Sequence, residues 1–274
     1  MNKKSLRCLT AFLTAALLMV GPQIVQANDG ALSYGGTPRL MNGEGTVSMQ
    51  SEVILMDIGL KEVKVDCRFV FKNHGSARTV RMGFPDGDDY FRNNSDAKLV
   101  SAFSSFQSYI DGKPVKTTLV RGRNKTDKTV LYHTKNVAFA KGQTRSVRDV
   151  YTVPVGGAMT DQSGYFATTF YILHTGSSWR GNIGRSEIIA RFRRVKLTKP
   201  EQDGRKYQIV SPLASSSLSG EEFQSLKWTR PDREVVVYKG PGRPTVDRNT
   251  LRWVRTNWRP TKKDDVSLVF KSLG

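Results

Sequence analysis

Val63-Lys64-Val65-Asp66-Cys67-Arg68-Phe69-Val70-Phe71 alternates apolar and polar residues almost without a break. In an extended chain Val63, Val65, Cys67, Phe69 and Phe71 share one face, and Lys64, Asp66 and Arg68 take the other. The stretch therefore reads as a β-strand buried on one side. Cys67 falls on the apolar face, which predicts a thiol packed as a small hydrophobe rather than a nucleophile.

The same period continues outward. Val80, Met82 and Phe84 form a strand expected to end at Pro85, which cannot donate to a ladder. Residues 103–110 reach Asp111-Gly112, a hairpin turn signal, and 115–120 return. Residues 130–139 and 145–151, joined at Lys141-Gly142, read as another strand pair. Further strands are expected at 165–173, 188–192, 207–210, 234–238, 251–258 and 266–270. Helical character is confined to one turn at 219–224, with Ser219 as its cap. Short strands separated by turns predict an all-β chain of one or two antiparallel β-sandwich subdomains. The joint is expected near Val155-Gly156-Gly157, dividing 28–155 from 156–274, with a second candidate around Lys199-Pro200.

Residues 1–27 have the order of a cleaved signal peptide. Lys3, Lys4 and Arg7 precede an apolar stretch, 9–20, that falls short of the ~20 residues a membrane helix needs. Gly21-Pro22 breaks it, and Val25-Gln26-Ala27 is a small-residue exit. The expected mature chain begins at Asn28, is periplasmic or extracellular, and keeps Cys67 as its single thiol.

Across 274 residues, 43 Lys+Arg stand against 24 Asp+Glu, a formal net charge of +19. Two cysteines exclude a disulfide framework and a cysteine-ligated metal cluster. His74, His133 and His174 share no ligand spacing, so no metal or cofactor is expected. His74 is expected in a hairpin turn, and all three as surface or edge histidines. Asp86-Gly87-Asp88-Asp89 lacks the calcium-loop spacing and reads as a solvated turn after Pro85. No Gly-x-Ser-x-Gly elbow is present, and catalysis has no positive support.

Two regions are candidate binding surfaces. In the first, Trp179 beside Arg180 and Arg185 could stack on a ring and pair with an anion, or the Trp could simply cap a structural corner. The second is the basic final third. Residues 191–274 carry 19 Lys+Arg against 9 Asp+Glu, net +10, whereas residues 28–190 are net +6. There Arg252, Trp253, Arg255 and Trp258 interleave arginine with aromatics. Strand alternation places Arg252 and Arg255 on opposite faces. For an exported chain these point to anionic envelope polymers or lipid head groups rather than nucleic acid. The reading is a non-catalytic binding or structural protein of the cell envelope. The alternative is a carbohydrate-active or other secreted hydrolase whose carboxylate pair the sequence does not locate.

Several stretches together resemble a known pattern. Tyr34-Gly35-Gly36 is followed by Val47-Ser48-Met49-Gln50-Ser51-Glu52, Phe71-Lys72-Asn73, Met82-Gly83-Phe84-Pro85 and Phe139-Ala140-Lys141-Gly142-Gln143. Tyr171-Ile172-Leu173-His174-Thr175-Gly176-Ser177-Ser178-Trp179-Arg180-Gly181-Asn182-Ile183 and Asn257-Trp258-Arg259-Pro260 complete the order. The chain resembles the bacterial domain-of-unknown-function family 4424, a group of exported β-rich proteins, most strongly between 34 and 190. The resemblance implies a location and a β fold, and brings no activity, cofactor or catalytic residue.

Overall fold

A computed structural model describes residues 34–42, 45–59, 61–88, 99–123, 129–160, 164–193 and 236–271. The expected signal peptide, the strand at 207–210 and the helical turn at 219–224 lie outside the described residues. In chain order the strands are β1 (Tyr34–Gly36), β2 (Arg39–Asn42), β3 (Val47–Ile58), β4 (Glu62–Asn73), β5 (Arg78–Asp88), β6 (Ser105–Ile110), β7 (Lys113–Val115), β8 (Thr118–Arg123) and β9 (Thr129–Phe139). They continue with β10 (Thr144–Pro154), β11 (Gly156–Thr160), β12 (Gly164–Ile172), β13 (Ile183–Phe192), β14 (Val236–Lys239), β15 (Thr245–Asp247), β16 (Thr250–Trp258) and β17 (Val266–Lys271). Two single-turn 3-10 helices, His174–Ser178 and Lys262–Asp264, interrupt them.

The strands form two sheets. One runs β14-β17-β12-β1-β5-β9-β8, with β11 beside β12 and β2 beside β5; the other runs β15-β16-β13-β3-β4-β10-β6-β7. The sheets pack face to face around one core. Val63, Val65, Cys67, Phe69 and Phe71 all point into it, as their alternation requires. Contacts across the gap include Phe84 with Tyr151 (ring centroids 5.4 Å apart) and Phe192 with Phe270 (5.3 Å). The boundary expected near Val155 falls between β10 and β11. Each sheet contains strands from both sides of it.

The all-β architecture agrees with the sequence, but its wiring differs in four places. The sheets are mixed rather than antiparallel: β1 lies parallel to β12, and β3 parallel to β13. Residues 130–139 and 145–151 are not a hairpin. β9 pairs with β5 and β8 in one sheet, and β10 pairs with β4 and β6 in the other, so Lys141-Gly142 carries the chain between sheets. The segment after His74 likewise crosses between sheets, from β4 to β5, instead of turning a hairpin. The return from Asp111-Gly112 divides: β7 completes the hairpin with β6, and β8 departs to the other sheet. Both turn residues have positive φ, 48° at Asp111 and 78° at Gly112, as a tight two-residue hairpin demands.

Pro85 does not end its strand. β5 runs through it to Asp88, with a register shift against β9 just beyond the proline. An irregularity in the ladder is where a residue lacking an N–H is tolerated. As a result Asp86 is 1% exposed rather than in a solvated turn. It accepts a hydrogen bond from the Ala102 amide at 2.9 Å and lies 3.0 Å from His133 Nε2. His133 is therefore a core residue and not an edge one, stacked on Phe106 with ring centroids 4.0 Å apart.

Candidate functional site: a basic sheet face

The outward residues of the eight-stranded sheet follow from the strand period. On β3, β4, β10, β13 and β16 the buried positions alternate with polar or half-buried ones. The outward set includes Asp57, Asp66, Arg68, Arg148, Arg185, Glu187, Arg191 and Arg252, with Val53, Leu55 and Ile189 half-buried among them. Val254, 41% exposed, continues this aliphatic patch.

Charge on this face has a repeating arrangement: one carboxylate between two guanidiniums. Glu187 accepts from Arg185 at 3.0 Å and from Arg252 Nε at 2.8 Å. Asp66 accepts from Arg68 at 3.0 Å and from Arg148 through two bonds of 2.8 and 2.9 Å. Asp57 accepts from Arg191 at 3.3 Å and from Arg193 at 2.7 Å. Hydrogen bonds from Arg193, and then Arg191, hold the Asp57 carboxyl below its ordinary range. Partial burial pushes Asp66 and Glu187 upward. The paired arginines outweigh it and leave both lowered as well. Each carboxylate is thus ionised, and each group of three keeps one uncompensated positive charge.

The sequence-derived site residues separate into two groups. Arg185 and Arg252, 67 positions apart, meet on Glu187 because β13 and β16 are neighbours. Arg180 is exposed beyond the end of β13, its backbone N–H donating to Val47 at 3.0 Å. Arg255 lies opposite Ser186, on the inward side of β16, and emerges at the sandwich margin with its guanidinium 5.8 Å from the Trp258 ring. Arg252 and Arg255 therefore occupy different faces.

The tryptophans are core residues. Trp179 is 2% exposed, donates its indole N–H to Pro38 at 2.7 Å and packs on Phe71 at 4.5 Å. Trp253 donates to Gly242 at 2.9 Å and Trp258 to Ser186 Oγ at 2.6 Å. Stacking of Trp179, Trp253 or Trp258 on a ligand is corrected accordingly: each ring fills the sandwich, and each indole N–H is satisfied within it.

Sequence reasoning missed three buried polar groups. Lys135 Nζ on β9 reaches across the core to both oxygens of Asp149 on β10, at 2.5 and 2.7 Å. Glu52 is fully buried on β3 and accepts hydrogen bonds from Ser186 Oγ at 2.6 Å and Thr37 Oγ1 at 3.0 Å. Burial raises its pKa to about 7 against the pull of those two hydroxyls. Asp86 with His133 is the third. The available signal was phase. Glu52 lies in step with Ile54, Met56 and Ile58, as Lys135 does with Val137 and Phe139. Among the described residues no group of His, Cys, Asp and Glu is arranged to hold a metal ion.

The fold and this face define an all-β sandwich protein with a filled core and a basic outer sheet. Residues 27–152 match the model of the family described as Domain of unknown function (DUF4424). No curated protein matches the sequence. Among solved structures, a candidate nutrient-binding protein of Legionella pneumophila is similar, with a TM-score of 0.61, 16% identity, and coverage of 89% of this chain and 73% of that one. At that identity the likeness is one of fold. Yeast LTA4 hydrolase (TM-score 0.37, 8% identity, 86% of this chain and 30% of that one) shows a weaker likeness. The M1 zinc metallopeptidase of Deinococcus radiodurans is weaker again (0.32, 8%, 83% and 43%).

Proposed function

We propose that this is an exported, non-catalytic binding protein of the cell envelope, and that the outer face of its eight-stranded sheet binds anionic envelope polymers. The observation that carries the reading is the repeated arginine–carboxylate–arginine grouping. Three net positive charges are fixed on a rigid sheet, with half-buried aliphatic side chains and the exposed Val254 between them. From β16 to β10 the groups span four strand spacings, roughly 19 Å at ~4.8 Å per spacing. A small ion would engage one group, whereas a polymer with repeating negative charge engages several at once and gains by multivalency. The nutrient-binding protein of similar fold supports the binding reading. Export rests on the order of residues 1–27. Among the described residues no helix is long and apolar enough to cross a membrane.

The test is retention on an immobilised anionic glycan polymer across a salt series. Wild-type protein is expected to elute later than an unrelated protein of equal net charge, and earlier as salt shortens the Debye length from ~30 Å at 0.01 M to ~3 Å at 1 M. Arg148→Ala with Arg252→Ala should bring elution down to the control. Equal elution of wild type and control refutes the proposal.

A further inference from the structure

We propose a second, independent site: a groove on the outer face of the nine-stranded sheet that binds a small hydrophilic oxyanion, a phosphate or carboxylate carried on a hydroxylated body. The groove has a volume of about 450 Å³ and is lined by Asn42, Arg81, Lys116, Thr118, Thr134, Lys135 and Asn136. That size lies within the roughly 300–1,000 Å³ of small-molecule sites. Its walls are almost entirely polar, which selects a ligand that hydrogen-bonds over most of its surface.

Strand register builds the floor. Arg81 on β5 lies directly opposite Asn136 on β9, and Thr134 on β9 opposite Thr118 on β8. Arg81 is held from two directions. Its backbone N–H donates to Asn42 Oδ1 at 2.7 Å, and its guanidinium donates to Thr134 Oγ1 at 3.2 Å. Thr134 in turn donates to the Thr118 carbonyl at 3.1 Å. The guanidinium is thus positioned by a neutral hydroxyl, with its charge undiminished and further N–H groups left to donate. Asn42, whose oxygen is engaged, keeps its amide N–H groups as donors.

Charge state sets this groove apart from the opposite face. There every outward arginine of the three groups shares a carboxylate. Here, among the described residues, no carboxylate lines the groove and neither Arg81 nor Lys116 is ion-paired. Lys135 contributes to the wall while its ammonium is engaged by Asp149 in the core. Two uncompensated cations, one a planar fork and one a mobile ammonium, sit over amides and hydroxyls. That combination suits an oxyanion on a body rich in hydroxyl groups.

The test is isothermal titration of the whole protein with three probes: inorganic phosphate, glucose 6-phosphate and gluconate. Saturable binding of at least one is expected, weakened tenfold or more by Arg81→Ala and by Lys116→Ala, and unchanged in Lys141→Ala, an exposed cation in the turn between β9 and β10 and outside both sites. Both substituted side chains are exposed, so the variants should fold, and circular dichroism checks that they do. Preference for the phosphates over gluconate identifies the anion as phosphate, and the reverse as carboxylate. No saturable heat with any probe at millimolar concentration, or binding unaltered in both groove variants, overturns the proposal. Because the polymer assay reads the other face, either reading can fail alone.

Discussion

Glu52→Gln should remove a pH dependence from the stability of the sandwich. Glu52 is fully buried, between a 2.6 Å hydrogen bond from Ser186 and a 3.0 Å hydrogen bond from Thr37. Its pKa is about 7 in the folded protein against an ordinary 4.5. Between those values the folded state holds a proton that the unfolded chain has released, so unfolding free energy falls as pH rises. Below about 4.5 both states are protonated and the contribution is complete; above about 7 it has been lost. At 1.36 kcal/mol per pH unit the interval amounts to about 3 kcal/mol. Cys67 and Tyr171, which face the same part of the core, are both pushed well above their ordinary values by burial and stay neutral throughout. The assay is urea unfolding of wild type and Glu52→Gln at intervals from pH 4.5 to 8. The difference between the two curves cancels the histidines, which both proteins share. Wild type should lose about 3 kcal/mol relative to the variant across this range. A difference constant to within about 0.5 kcal/mol would mean that water or a cation reaches the carboxylate, and that the buried description of Glu52 is wrong.

Asp149→Asn leaves the Lys135 ammonium buried without its counter-ion. It should destabilise by about 3–5 kcal/mol in chemical denaturation, with Lys135→Met/Asp149→Leu recovering most of the loss; equal stability of all three proteins would contradict the buried pair. Cys67, fully buried and held protonated by desolvation, should react with a thiol reagent only as fast as the protein unfolds, and rapid labelling of the native state would show the β4 register to be wrong.

The β class and the inner face of β4 were legible because alternation is a local property and survives any choice of partner strand. Partner choice was not legible. Lys141-Gly142 has the composition of a hairpin turn, yet it joins strands of different sheets. Its glycine supplies a positive φ, 71°, without specifying where the next strand lands. Pairings such as β3 with β13 depend on which edges remain open after the whole chain has collapsed, and no short window encodes that. At the basic face, Arg185 and Arg252 could be singled out by composition, but Glu187, which unites them, carried no signal until the strands were placed side by side. The tryptophans mislead for a related reason. Their neighbours in sequence are arginines, whereas their neighbours in space are Phe71, Tyr238 and the Ser186 hydroxyl.

The three-residue strand β1 lies between β12 and β5 in the interior of its sheet, and β3 lies between β4 and β13 in the other. Glu52 and Ser186, joined across that second seam, are 134 positions apart in sequence. β1 and β3 therefore wait for β12 and β13, more than 130 positions further along the chain, before their second ladders can close. Loop-closure entropy must be overcome before the non-local pairing returns any free energy, which places the protein among slow folders of high contact order. A chain ending at residue 152, where the family match stops, would present both β1 and β3 with one ladder unmade. Open edges of that kind recruit strands from other molecules. The second half of the chain thus covers edges that the first half exposes.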